Sequence, residues 1–496
     1  MADIPGNTSS TYTFEGNPLE FASFSGELEN FRDVDFIRVT LVAGQTYTFH
    51  GSVSGISGDT FMGLLDAAGN EIKHSDDDGP GANSYFTYVP TATATYFISI
   101  QDLFGDPGSY SVQVMGGTSF SDDQATDADD YSQLLAGPSR EIGGKGNDEF
   151  RDYAQALGQQ GDDTLTGVAG GSTLSGGTGN DAITGAAGAD LLFGDSGNDL
   201  IIGGDNNDRI YGGLGYDKLS GENGYDTLRG GDAADYLSGG ADSDLLLGEA
   251  GNDSMVGGSG DDTVDGGTGA DTLAGGIGSD KIYVDNVGDK VIEYSETGSD
   301  TVYSTVTFDL RGTYAENIAL LGTANLKATG NDLGNVIAGN DGKNTIKGMG
   351  ERDYLAGNGG NDTIDGGTGF DTLAGGAGAD RLIGGSDTGD FFRFDTKPSS
   401  SNIDRIVDYK HGTDFIQLSH TIFSALGSSV TAAEVVTRSG SHTATTASQR
   451  LIYDKTHGTL WFDADGNKSA KAAIEFAQLG DSNHPASLDW HDFLIV

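Results

Sequence analysis

The sequence contains no cysteine, which excludes disulfide cross-links and thiolate metal sites. Basic residues are scarce: 26 Lys and Arg stand against 75 Asp and Glu, a net charge of −49. That balance argues against nucleic acid or an anionic membrane as the partner. No apolar run approaches the length of a membrane-spanning helix. His-Glu-x-x-His and Gly-x-Ser-x-Gly are both absent, so the zinc-protease and α/β-hydrolase signatures are missing. The opening MADIPGNTSSTYTFEGNPLEF has neither a basic nor an apolar segment, and predicts no cleaved signal peptide.

Glycine is abundant, with 81 residues, and much of it is strictly placed. From Gly158 to Tyr283 the chain divides into fourteen nonapeptides without a slip, such as GGTGNDAIT (Gly176–Thr184) and GDSGNDLII (Gly194–Ile202). Glycine holds the first place in all fourteen, aspartate the sixth in thirteen (Ser172 is the exception), and an aliphatic the eighth in all. Such a period means one small unit stacked on itself. The first six residues suit a tight turn, and the last three a short strand with its middle side chain inward. Two nonapeptides then make one coil, and alternate turns stack along opposite edges.

One edge carries Asp163, Asp181, Asp199, Asp217, Asp235, Asp253 and Asp271; the other carries Asp190, Asp208, Asp226, Asp244, Asp262 and Asp280. An offset unit, Gly143–Phe150, adds Asp148. Neighbours in a file sit one strand spacing apart, roughly 4.8 Å, and repel by about 3–4 kcal/mol at an effective dielectric of 20. Cations between them remove that repulsion. Carboxylates and turn carbonyls are hard oxygen donors, so the ion expected is Ca²⁺, with six neighbouring pairs on one edge and five on the other as an upper bound.

These units resemble GGxGxDxUx, the nonapeptide of RTX (hemolysin-type) secreted proteins. The resemblance implies a parallel β-roll with calcium held between successive same-side turns by the sixth-place Asp and backbone oxygens. Asn206, Ala233 and Asp242 depart from it at the fourth-place glycine. Residues 284–329 resemble the spacer between RTX blocks, where the solenoid is expected to continue without its calcium files. A second block, 330–385, places Asn335 and Asn344 at its first two sixth positions and Asp353, Asp362, Asp371 and Asp380 at the next four. Ion binding is expected only once Asp353–Asp371 and Asp362–Asp380 pair.

The flanks differ in composition. Residues 1–116 alternate apolar and polar residues between turn clusters, as in Asp35–Leu41 and Tyr96–Ile100, which predicts an antiparallel β-sandwich. The segment resembles the jelly-roll-like pre-peptidase C-terminal domain. Asp76-Asp77-Asp78 reads as a solvated acidic turn in preference to a metal loop. Residues 117–142 read as an acidic linker. Residues 386–496 supply aromatics for a β-rich cap on the open end of the solenoid. They resemble the C-terminal domain of serralysin-type proteins, where an acidic residue followed by apolar ones (here Asp492–Val496) implies recognition by a type I secretion apparatus. Asp463–Asn467 has its glycine too early for an EF-hand and reads as a hairpin turn. The expected whole is an all-β, secreted, non-catalytic calcium-binding protein with no catalytic residues, adhering to an extracellular polysaccharide or matrix protein through its N-terminal domain. A divergent hydrolase or epimerase relative is the alternative.

Overall fold

One inward aliphatic per nonapeptide is enough to build a core only if successive units bring those side chains together, and they do. Leu165, Leu174, Ile183, Leu192, Ile201 and their successors through Ile282 are all buried, and the same column runs on through Ile337 to Leu382. The computed structural model describes residues 140–496 except 296–297, 388, 469–470 and 481–483; before residue 140 it describes eight strands, 89–91 and 131–133. Among the described residues there is no α-helix, only a short 3₁₀ turn at Trp490–Asp492.

Two compact units divide the chain, residues 1–124 and 125–496. In the first, eight strands form two antiparallel sheets. One runs in the order Ala22–Leu28, Gly108–Gly117, Thr46–Ser54, Ser84–Tyr88; the other Val34–Leu41, Ala94–Asp102, Thr60–Leu65, Glu71–Asp76. The first strand pairs with the eighth and the second with the seventh, as in a long hairpin rolled on itself. These are the two antiparallel sheets of the sandwich expected from the alternation, with the jelly-roll-like pairing that the resemblance implied. Phe49 of one sheet and Met62, Leu64 and Ile98 of the other are fully buried. Asp77 and Asp78 lie outside the described residues.

The second unit is the solenoid. One face is a single sheet of 17 strands from Arg140–Lys145 to Phe493–Ile495, parallel throughout. The opposite face consists of two ten-stranded sheets, the first ending at Lys290–Val291 and the second starting at Phe308–Asp309. The spacer therefore does continue the stack: Thr301–Ser304 and Asn317–Leu320 carry the long sheet across it. Tyr131–Gln133, inside the segment expected to be linker, instead pairs with Glu149–Arg151 as the first rung of the broken face. Its acidic neighbours hid a strand of only three residues.

The strands are also longer than the three residues expected. Ala182–Ala187 pairs with Leu200–Asp205 through Ala182, Ile183 and Thr184, skips the first-place glycine, and resumes at Ala186 and Ala187. Left-handed backbone at the second place (Ala186, φ 86°; Gly204, φ 121°) turns the chain between the two rungs. The fourth place is left-handed as well, and Asn206, Ala233 and Asp242 accept it at φ 76°, 75° and 73°. Of these, Ala has no side-chain oxygen to stabilise the conformation locally, and a Cβ there costs about 1–2 kcal/mol. Ala233→Gly should stabilise the calcium-loaded chain by about 0.5–1 kcal/mol once the greater chain entropy of glycine is set against that strain, read as a raised thermal midpoint. A lowered midpoint would refute the strain.

At the C-terminal end, Phe392, Phe394, Tyr409, Phe423, Tyr453 and Phe476 fill the space that the aliphatic column leaves open. Phe423 meets Phe462 and Phe476 edge-on, with ring centroids 4.9 and 5.4 Å apart. Asp463–Asn467 lies between the antiparallel strands Thr459–Phe462 and Ile474–Leu479, as a hairpin turn.

Candidate metal centre

The sixth-place aspartates are buried, each 4 % exposed or less, and strung together through the backbone. The amide of Asp163 donates to Oδ1 of Asp181 at 2.7 Å, Asp181 to Asp199 at 2.8 Å, and Asp199 to Asp217 at 2.8 Å. The file continues through Asp235, Asp253 and Asp271. Asp148 heads it, donating to Asp163 at 2.8 Å across 15 residues where later steps span 18. On the other edge Ser172 donates to Asp190, which is followed by Asp208, Asp226, Asp244, Asp262 and Asp280. In the second block Asp353 donates to Asp371 at 2.9 Å and Asp362 to Asp380 at 2.7 Å. The eighteen aspartates singled out in the sequence thus fall into files along two edges.

Half of each carboxylate is accounted for in this way, which the simple picture of facing charges missed. The other half is not. From Asp163 to Asp271, and at Asp353, Asp362, Asp371 and Asp380, Oδ2 is buried with no hydrogen-bond partner. The first-place glycine borders this oxygen. A Cβ built on Gly212 would lie 2.4 Å from Asp217 Oδ2 and 2.5 Å from the Gly230 carbonyl of the next coil, and Gly194 and Gly221 show the same pair of neighbours. The first place is therefore glycine because oxygen atoms crowd it, not because its φ is left-handed. Unpaired carboxylate oxygens beside inward carbonyls are a donor set for a hard cation, and the residues fit Ca²⁺.

Burial pushes these carboxyls up, with neighbouring carboxylates adding to it. Asp181 and Asp244 are raised from 3.8 to about 8. Asp199, Asp208, Asp235, Asp353 and Asp362 are raised to about 7. Backbone amides lower each of them, but by less than burial raises it.

Where asparagine takes the sixth place the unit closes by itself. Asn335 Oδ1 accepts the Asn331 amide at 2.9 Å, and its Nδ2 donates to Asn331 Oδ1 and the Glu316 carbonyl, both at 3.0 Å. Asn344 and Asn340 repeat the exchange at 2.9 Å in both directions. A carboxylate has no donor with which to do this.

Several file members escaped the sequence reading. Asp271 donates to Asp289, Asp280 to Asp300, and Asp300 to Glu316, so the files do not stop at Tyr283. Asp371 leads on to Asp390 and then Asp414, and Asp380 to Asp404. The nonapeptide spacing is lost there, but Asp300, Asp390, Asp404 and Asp414 each still stand two residues before a buried apolar side chain. That shorter pattern was the available signal. A separate group, His411, Asp489 and Asp492, lies in the cap. Asp492 Oδ1 accepts Tyr409 Oη at 2.9 Å and meets His411 Nδ1 at 2.7 Å, while Oδ2 accepts the Asp489 amide at 2.7 Å. Those oxygens are used in fastening the terminal strand.

Residues 157–192, 184–219, 217–246, 247–282, 329–364 and 356–389 match the family described as RTX calcium-binding nonapeptide repeat (4 copies). No curated protein sequence matches the chain. Among solved structures, PliG of Aeromonas hydrophila, a periplasmic lysozyme inhibitor, is similar at 17% identity over 23% of this chain and 100% of that one, with a TM-score of 0.19. The pre-peptidase C-terminal domain of a Bacillus anthracis collagenase is similar at 10% identity over 23% and 99%, also at 0.19. The catalytic unit of a GH87 α-1,3-glucanase from Streptomyces thermodiastaticus is 10% identical over 96% and 98%, again at 0.19. None of these scores reaches that of a shared whole-chain fold. The repeat files of buried aspartate coincide with the family match: residues 157–282 and 329–389 of the solenoid are RTX calcium-binding nonapeptide repeats.

Proposed function

We propose that this is an exported, non-catalytic protein whose solenoid folds on calcium outside the cell and serves extracellular adhesion. The observation that carries it is the run of buried, unpartnered Asp oxygens, held in place by the repeat itself. Asp148, Asp163 to Asp280 and Asp353 to Asp380, with the neighbouring turn carbonyls, would hold the ions. Calcium supplies the positive charge that lets these files pack. Cytosol poor in calcium keeps a −49 chain extended and threadable, and millimolar calcium outside folds it. RTX proteins typically leave by type I systems, and Asp492–Val496 is the proposed address. The N-terminal sandwich is the proposed contact with polysaccharide or matrix protein.

With a type I apparatus supplied, the full chain should be found in the medium, and a chain lacking Asp492–Val496 should stay inside the cells. Because Phe493–Ile495 is also the last rung of the long sheet, the shortened chain is checked in vitro for calcium-induced β structure. If it folds on calcium and is still exported, the address is elsewhere.

A further inference from the structure

We propose that Glu293, with Asp280 and Asp300, forms an additional calcium site that closes the first block from outside the nonapeptide repeat. Thr272 pairs with Lys290 and Leu273 with Val291, so Glu293 stands opposite Gly275, at the first place of the following coil. Glycine holds that place in all fourteen preceding units. Gly298 stacks on the fourth-place Gly278 and Asp300 on the sixth-place Asp280, so the turn between Glu293 and its file aspartate is two residues longer than in the repeat.

Its carboxylate is built in. Glu293 is 4 % exposed, and Oε1 accepts the Gly275 amide at 2.6 Å. Oε2 is buried with no partner among the described residues. The charged groups acting on it are Asp300 and Asp280, both of its own sign; burial first, and then these two, raise its carboxyl from 4.5 to about 8. The two aspartates are tied to each other, the Asp280 amide donating to Asp300 Oδ1 at 3.0 Å, and the Asp300 amide to Glu316 Oε2 at 2.9 Å. A buried carboxylate with an unpartnered oxygen, beside two aspartates of the file, suits a hard divalent ion. Asp300 also borders a surface cleft beside Tyr294, Tyr314 and Glu316, which gives the ion an entry path and room for water ligands. Calcium tolerates such a mixed shell better than magnesium does.

This inference rests on the calcium reading of the files, and one set of measurements separates the two. Calcium bound per full-length chain is counted by equilibrium dialysis at saturating calcium for the wild type, Glu293→Gln, Asp300→Asn and the double variant. Each variant should bind one ion fewer than the wild type, the double no fewer than the singles. An unchanged count in Glu293→Gln would overturn the proposal, as it would if Glu293 is simply protonated; so would a double variant that loses two ions. Should the substitutions prevent folding, wild-type crystals grown in calcium decide. An anomalous peak between Glu293 and Asp300 supports the site, and peaks along the repeat files with none at Glu293 refute this inference alone. A wild-type chain that binds no calcium would instead sink the reading beneath it.

Discussion

Chelating calcium should convert the solenoid from β structure to coil, in a cooperative transition read by circular dichroism of the full chain at pH 7.5. Each nonapeptide buries one aliphatic side chain, too little on its own to order nine glycine-rich residues. Most also bury a carboxylate oxygen with no partner. Removing the ion leaves that charge buried and unpaired, and it does so at neighbouring coils at once. An ion that binds only the folded form contributes RT ln(1 + [Ca²⁺]/Kd), about 2.7 kcal/mol per site at a hundredfold excess over Kd. Several sites in series exceed the stability of an ordinary domain, about 5–15 kcal/mol. A β spectrum that survives chelation would refute calcium-dependent folding. The jelly-roll unit carries none of these repeats, and its signal should remain.

Acid should have opposite effects on the two forms. In the calcium-free chain the buried carboxyls are raised above their ordinary 3.8, to about 6 at Asp163 and Asp217 and to about 8 at Asp181 and Asp244. The folded form therefore holds protons more tightly than the unfolded one. The resulting penalty on folding is absent below about pH 4, where both forms are protonated, grows as pH rises, and is complete above about pH 8. Lowering the pH from 8.5 to 4.5 in chelator should thus restore part of the β signal and raise the melting midpoint. In the calcium-loaded chain the same protons compete with the ion, and apparent affinity should fall over that range. A calcium-free midpoint that does not rise towards acid would show that the buried carboxylates are not the obstacle.

Most of the solenoid was legible because its signal is periodic. An aliphatic at every eighth place fixed the inward face, and the aspartates of the nonapeptides fell into files along two edges at the 18-residue step the sequence implied, with Asp148 joining across 15. What escaped depended on geometry rather than composition. The role of the first-place glycine follows from the Asp217 oxygen and the Gly230 carbonyl that a Cβ would strike, contacts that exist only after stacking. Asp289, Asp300, Asp390, Asp404 and Asp414 join the files across changed spacings, so a reading in nines passed over them. Glu293 looked like any spacer acid until its position opposite Gly275 was known. The asparagines at 335 and 344 were recognised as poor ion ligands, but not as residues that close their own turns.

The two faces of the solenoid differ in one respect with a mechanical meaning. The 17-strand sheet is an unbroken rail from one end to the other, whereas the opposite side is notched between Val291 and Phe308. A rod of this kind bends most easily at its notch, in the direction that opens the broken side. Tension along the stack is shared by two ladders of hydrogen bonds elsewhere but falls on one there. Pulled from its ends, the chain should yield first at the junction of its two blocks, beside Glu293, and the blocks on either side would part as intact lengths rather than unravel coil by coil.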